Sequence, residues 1–133
     1  MFRAIAAIAA LSFASCGVDE DQISGSVMIY YVPIGAETFV PVTPENVESS
    51  YMAYAKMEVG SPEIHKIMSL ISSTENGEFD GEMVRVKLSF SDGQKIFIDN
   101  EGGVRNSSGD FSLTQRKLLR LKKELEKVVK PRR

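Results

Sequence analysis

The sequence predicts an α+β fold: one small domain with a mostly antiparallel sheet and about three helices, the last of them long and basic. Apolar and polar residues alternate from Val84 to Phe90 and resume after a glycine turn, which is typical of a β-hairpin. Leucines recur at helical spacing from Leu118 to Leu125, which indicates an amphipathic helix. The chain has 133 residues, 43% of them hydrophobic, which is enough for one modest core.

The hairpin register follows from the requirement that one face of the sheet stay apolar. A two-residue loop would set Phe90 opposite Lys95 and would mix polar and apolar residues on that face. A three-residue loop, Ser91-Asp92-Gly93, aligns the two apolar faces by setting Phe90 opposite Gln94, Leu88 opposite Ile96 and Val86 opposite Ile98. Gly93 then takes a left-handed conformation. Arg85 and Lys87 fall on the polar face of the strand.

The remaining elements follow from local composition. Strands are predicted at Ser26–Val32, Glu37–Val42 and Tyr51–Val59, with a third hairpin strand starting at Val104. Thr43-Pro44 and Ser61-Pro62 each predict a helix start, because a capping hydroxyl precedes a proline at the first helical position. The residues from Ser72 to Gly81 are expected to form an acidic loop.

The last helix is predicted to begin at Ser112, because Gln115 three residues later completes a capping box, and to end before Pro131. Its apolar stripe leaves a basic face, from which four candidate partner-binding residues are selected: Arg116, Arg120, Lys123 and Lys127. Three interpretations of this face stay open. It is a solvated helix surface, a docking surface for an acidic partner, or a surface that lies across the acidic part of the same protein.

Charge is distributed unevenly along the chain. Residues 112–133 carry nine Lys/Arg and two Asp/Glu, a net charge of +7, whereas residues 17–111 carry six and sixteen, a net charge of −10. With Arg3 the sum is the formal charge of −2. This asymmetry can steer a charged partner. An acidic domain without an RNA-binding signature argues against a nucleic-acid partner.

The first residues have the pattern of an export signal. Arg3 is followed by eleven apolar or small residues, Ala4 to Ala14, which are too few to span a bilayer and fit the hydrophobic region of a secretory signal peptide. The segment ends at Phe13-Ala14-Ser15-Cys16, and Cys16 is the sole cysteine of the chain. An intramolecular disulfide is therefore excluded.

Phe13-Ala14-Ser15-Cys16-Gly17 resembles the lipobox of bacterial lipoproteins, with Phe13 where that family usually has an aliphatic residue. The resemblance covers residues 1–17 and implies that Cys16 is the lipidated first residue of the mature protein. It also implies a domain organisation of signal peptide 1–15, lipidated N-terminus and tether 16–25, and α+β domain 26–133. Gly17 resembles the outer-membrane class rather than the class retained at the inner membrane. Cleavage after Ala14, which would release a soluble periplasmic protein, stays open as the alternative.

The sequence offers few groups for catalysis. His65 is the only histidine, so neither a histidine metal cluster nor a Ser-His-Asp triad is indicated. The carboxylates from Glu75 to Glu82 lack the spacing of a calcium loop. Glu78 and Asp80 are the only pair considered for acid–base hydrolysis. No catalytic residue, metal or cofactor is predicted.

The expected function is therefore non-enzymatic. By analogy with small exported lipoproteins that lack catalytic residues, we expect an envelope lipoprotein that binds a periplasmic protein, of the inhibitor or immunity type, whose partner is a toxin, a hydrolase or an envelope complex. A structural or assembly lipoprotein of an envelope complex is the alternative, and a carboxylate-based hydrolase comes third. Contact with the membrane is expected only through the lipid anchor on Cys16.

Overall fold

A computed structural model describes residues 25–72 and 75–132. The predicted signal peptide, Cys16 and nearly all of the tether lie outside these residues. The predicted α+β class is confirmed: the described part is a small single domain in which three helices accompany one antiparallel sheet.

The sheet has eight strands. In chain order they are β1 Ser26–Tyr31, β2 Ala53–Glu58, β3 Glu75–Asn76, β4 Val84–Phe90, β5 Lys95–Asp99, β6 Gly103–Asn106, β7 Gly109–Ser112 and β8 Lys130–Pro131. Their spatial order is β3-β7-β6-β5-β4-β1-β2-β8, and every ladder is antiparallel. The four strands from β4 to β7 form a meander, and β1 joins it to β2.

The predicted register of the β4–β5 hairpin is confirmed. Leu88 pairs with Ile96 and Val86 pairs with Ile98, and the amide of Phe90 donates to the carbonyl of Gln94. Gly93 has φ +98°, the left-handed conformation that the three-residue loop requires.

The prediction that Arg85 and Lys87 lie on an open polar face is wrong, because both residues are buried. A β-bulge between Val84 and Val86 shifts the strand by one residue, so that Val84 joins Val32, Val42, Val47 and Phe79 in a second apolar cluster. The loop after β1 and the first helix supply most of this cluster and cover β4 on its second face.

The three helices are α1 Val47–Ser50, α2 Pro62–Ser72 and α3 Gln115–Val128. The helix start predicted at Thr43-Pro44 is three residues too early: Thr43 and Asn46 exchange side-chain and backbone hydrogen bonds in a turn, and α1 begins only after Asn46. Ser61 accepts from the amide of Ile64 at the start of α2. The capping box predicted at Ser112 is wrong, since Ser112 ends β7 and Thr114 caps α3 by accepting from the amide of Lys117.

Two other expectations fail. Glu37–Val42 is a loop rather than a strand, because it pairs with the sheet only through an isolated bridge from Val42 to Met83. Pro41 has no amide hydrogen to donate to a ladder, and the hydroxyl of Thr38 satisfies the carbonyl of Val40 locally. The short strands β3, β7 and β8 were not predicted, since their sequences carry little apolar alternation.

The main core lies between the sheet and the helices α2 and α3. Alternate residues of β1, β4 and β5 meet Ile64, Ile67 and Ile71 of α2 and Leu118, Leu121 and Leu125 of α3. This packing fixes which sides of α2 and α3 remain on the surface.

Candidate functional site

The candidate site is the outer face of α3. Burial of Leu118, Leu121 and Leu125 against the sheet turns the opposite side of this helix toward solvent. All four predicted partner-binding residues lie there and are exposed: Arg116, Arg120, Lys123 and Lys127. Their spacings of four, three and four residues place them in a single stripe, which we call the basic stripe.

An apolar residue lies within the basic stripe. Leu119 is 63% exposed, and it follows Arg116 by three residues and precedes Lys123 by four. A leucine among long cationic side chains offers a partner a contact that excludes water, while the cations attract opposite charge from a distance. Sequence periodicity predicted the cations but gave no reason to single out Leu119.

The basic stripe is not neutralised by the acidic body of the protein. Among residues 25–72 and 75–132, three ion pairs form, and only one involves the stripe: Lys127 with Glu124 at 3.3 Å, within α3 itself. The other two join Lys87 to Glu48 and Arg105 to Asp110. The interpretation that the basic face lies across the protein's own acidic sheet therefore gains no support from the described part.

A groove runs along one edge of the basic stripe, between α2 and α3. One end, of about 360 Å³, is lined by His65, Lys66, Leu70, Arg120 and Glu124. The adjoining end, of about 250 Å³, shares Lys66 and Glu124 and adds Glu63 and Lys127. His65 is exposed at this groove. The lining combines Leu70 with side chains of both charges, which suits recognition of a polypeptide surface.

Sequence reasoning missed a layer of charged side chains on β4 and β5, in which Lys87, Arg85 and Asp99 are buried. The ammonium group of Lys87 pairs with the carboxylate of Glu48 and lies 5.8 Å from the ring centre of Tyr30 and 5.7 Å from that of Phe97. The sequence offers little sign of this pair, because Lys87 and Glu48 meet only when α1 packs over β4 from about forty residues away.

Arg85 and Asp99 form the second part of this layer. Arg85 donates to the carbonyls of Val84 and Ala36, and burial lowers its guanidinium pKa although Asp99 opposes the shift. Asp99 accepts from three backbone amides, those of Asp80, Glu101 and Gly103. Both groups hold loops in place, so we assign them structural roles.

The two carboxylates predicted as candidates for hydrolysis precede β4 and are not part of the basic stripe. Glu78 and Asp80 are both exposed, and the Asp80 side chain accepts from the amide of Glu82. Asp80 thereby stabilises the turn that leads into β4. Within the described ranges, no group of three or more His, Cys, Asp or Glu side chains could hold a metal ion.

Three tyrosines pack together beside β1 and β2, near the sheet edge formed by β8. Tyr51 makes edge contacts with Tyr30 and Tyr54, at centroid distances of 5.2 Å and 6.2 Å. The Arg132 guanidinium lies 4.3 Å from the Tyr51 ring centre and donates to the carbonyls of Ser49 and Tyr51. Together with the pairing of β8 to β2, these contacts hold residues 130–132 against the sheet.

Comparison with known proteins does not identify the chain: no family model, no curated protein and no solved structure matches it. Across the described residues, no helix has the length and apolar character needed to span a membrane.

Proposed function

We propose that the chain is an exported bacterial lipoprotein whose domain is a non-catalytic protein-binding module of the inhibitor or immunity type. Its partner is a periplasmic protein, either a toxin, a hydrolase or a component of an envelope complex. The partner presents an acidic surface, and the basic stripe on α3 binds it.

The exposed basic stripe is the observation that carries this proposal. Four cations and Leu119 share one side of a rigid helix, and only Lys127 has an ion-pair partner in the part of the chain that the structure describes. Exposed charges of one sign increase the rate of association with a surface of opposite sign, and salt screens them beyond about 8 Å. A helix packed through three leucines also keeps the backbone positions of these residues at a fixed spacing.

The N-terminal residues support the location. An apolar export segment, small residues before Cys16 and a polar stretch after it match a lipidated tether, which would hold the domain at the envelope facing the periplasm. Gly17 favours the outer membrane.

The proposal is tested by identifying the partner and then changing the basic stripe. The tagged full-length protein is purified from its own envelope membranes after mild cross-linking, and the recovered protein is produced separately. Recovery of a secreted toxin or hydrolase supports the inhibitor role, whereas a secretion or assembly subunit favours the structural alternative.

Association kinetics then compare two charge-matched variants. Arg116→Glu/Lys123→Glu reverses two cations of the stripe, and Lys56→Glu/Lys95→Glu reverses two exposed cations on sheet strands. We expect the first variant to associate roughly tenfold more slowly at low salt, with a smaller difference at high salt, and the second to associate like the unaltered protein. Equal rates for both variants at every salt concentration would remove the basic stripe from the interface.

A further inference from the structure

The loop between β1 and α1 presents an apolar tip to solvent. Phe39 is fully exposed and Val40 is 62% exposed, side by side in the chain. Removing a phenylalanine side chain from water is favourable, and the described part of the domain does not cover this one. The basic stripe does not include these residues, and α1, α2 and α3 leave them uncovered.

The loop is held on both sides of the tip, so the exposure belongs to a defined conformation. Before the tip, the Gly35 amide donates to Asn100 Oδ1 at 2.7 Å and Arg85 Nη2 donates to the Ala36 carbonyl at 2.8 Å. At the tip, Thr38 Oγ1 donates to the Val40 carbonyl at 2.7 Å. After it, the Val84 amide donates to the Val42 carbonyl at 2.9 Å. A pre-ordered apolar tip loses little conformational entropy on binding.

The surroundings of the tip are acidic. A shallow depression of about 270 Å³ is shared by Phe39, Val40, Asp80 and Glu82. Glu37 lies two residues before the tip and is also exposed. The tip is thus an apolar projection with carboxylates around its base, opposite in charge to the basic stripe.

We infer that Phe39 and Val40 anchor a second protein–protein interface, in which the tip enters an apolar pocket with a basic rim on a partner protein. The carboxylates would be repelled by an anionic lipid surface, which argues against insertion into the membrane. The α2–α3 groove of a second copy carries Glu63 and Glu124 among its cations, which makes it a poorer match in charge. Aromatic anchors inserted into a pocket are the residues that contribute most to many interfaces.

Photo-cross-linking in the native host tests this inference. The full-length protein carries a benzophenone amino acid in place of Phe39 or, as the control, in place of Met52, which is 52% exposed on a different segment. We expect a covalent adduct with a distinct protein at position 39 and not at position 52. An adduct with phospholipid, an adduct with a second copy of this chain, or no adduct at position 39 would each overturn the inference.

Binding of the identified protein then measures the contribution of the tip. Phe39→Ser should weaken binding roughly tenfold or more, whereas Met52→Ser should leave it unchanged. Glu37→Gln/Glu82→Gln should slow association and reduce its dependence on salt. Arg116→Glu/Lys123→Glu should leave this interaction intact, which separates the second interface from the basic stripe. Unchanged affinity of a normally melting Phe39→Ser variant would overturn the inference.

Discussion

The hydroxyl of Tyr31 donates a 2.8 Å hydrogen bond to the carboxylate of Glu126, and the two residues are 95 positions apart in the chain. Tyr31 is buried at the end of β1, and Glu126 lies in the last turn of α3. This bond joins an interior strand of the sheet to the helix that carries the basic stripe. It therefore holds the candidate binding surface in a fixed position on the sheet.

Removing this hydroxyl should lower stability and change its dependence on pH. Burial, together with the bond to Glu126, raises the pKa of Tyr31 above its ordinary value of 10.0. Deprotonation is then harder in the folded state, so the free energy of unfolding should fall as the pH rises above about 10. Tyr31→Phe should cost about 1 kcal/mol at neutral pH and should lose part of this alkaline decline.

Urea unfolding at pH 8 and pH 10.5 measures both effects. Tyr30→Phe is the matched control for the hydrogen bond: Tyr30 is on the same strand and burial also raises its pKa, but its hydroxyl makes no hydrogen bond within the described ranges. The interpretation fails if Tyr31→Phe and Tyr30→Phe have the same stability at both pH values.

The pair formed by Lys87 and Glu48 predicts a non-additive result. Lys87 is buried, whereas the Glu48 side chain is about half exposed. Glu48→Gln should cost about 1–3 kcal/mol, because it leaves a buried ammonium group without its carboxylate. Glu48→Gln/Lys87→Met should recover most of that loss, since methionine fills the same space without a charge.

A double-mutant cycle by chemical denaturation measures the coupling between these two substitutions. Additive costs would show that the ion pair contributes nothing beyond its separate side chains.

Gly93 tests the hairpin loop. Its φ of +98° is strained for any residue with a Cβ atom, although an added Cβ would meet open space. Gly93→Ala should therefore destabilise the domain by about 1–2 kcal/mol through backbone strain alone. Gly81→Ala is the control, because Gly81 also has open space around it but does not have a positive φ. Equal melting temperatures for the two variants would contradict this account of the loop.

Sequence alone predicted the parts of the fold that depend on neighbouring residues. The pairing of Leu88 with Ile96 and the buried stripe from Leu118 to Leu125 both follow from local periodicity. Local periodicity did not predict that Arg85 and Lys87 are buried. Their burial depends on a bulge and on a loop from a distant part of the chain, which alternation does not encode.

The candidate site also has features that local sequence predicts and features that it does not. Exposure of Arg116, Arg120, Lys123 and Lys127 followed from the leucine stripe on the opposite side of the helix. The groove beside them requires α2 to pack against α3, and the Phe39 tip requires Glu37–Val42 to remain outside the sheet. Both the groove and the exposed tip depend on contacts between segments that are distant in the sequence, so local sequence patterns do not predict them.

Cys16 tests the proposed location. If it is the lipid attachment site, mass spectrometry of the membrane form should show an acylated N-terminus at Cys16, and Cys16→Ser should remove the protein from the membrane fraction. A mature chain that begins with unmodified Ser15 would instead support the soluble periplasmic alternative.

The joining of β1 to α3 has a consequence for how the protein is made. Among the described strands β1 is synthesised first, yet the core that covers it includes Leu118, Leu121 and Leu125, and β8 joins the sheet only with Lys130 and Pro131. A nascent chain from which Gln115–Val128 has not yet emerged cannot close the main core, so the domain cannot fold before α3 is available. If the chain is exported as we propose, this dependence on α3 would keep it unfolded, and so able to enter a secretion channel, until most of the domain has been synthesised.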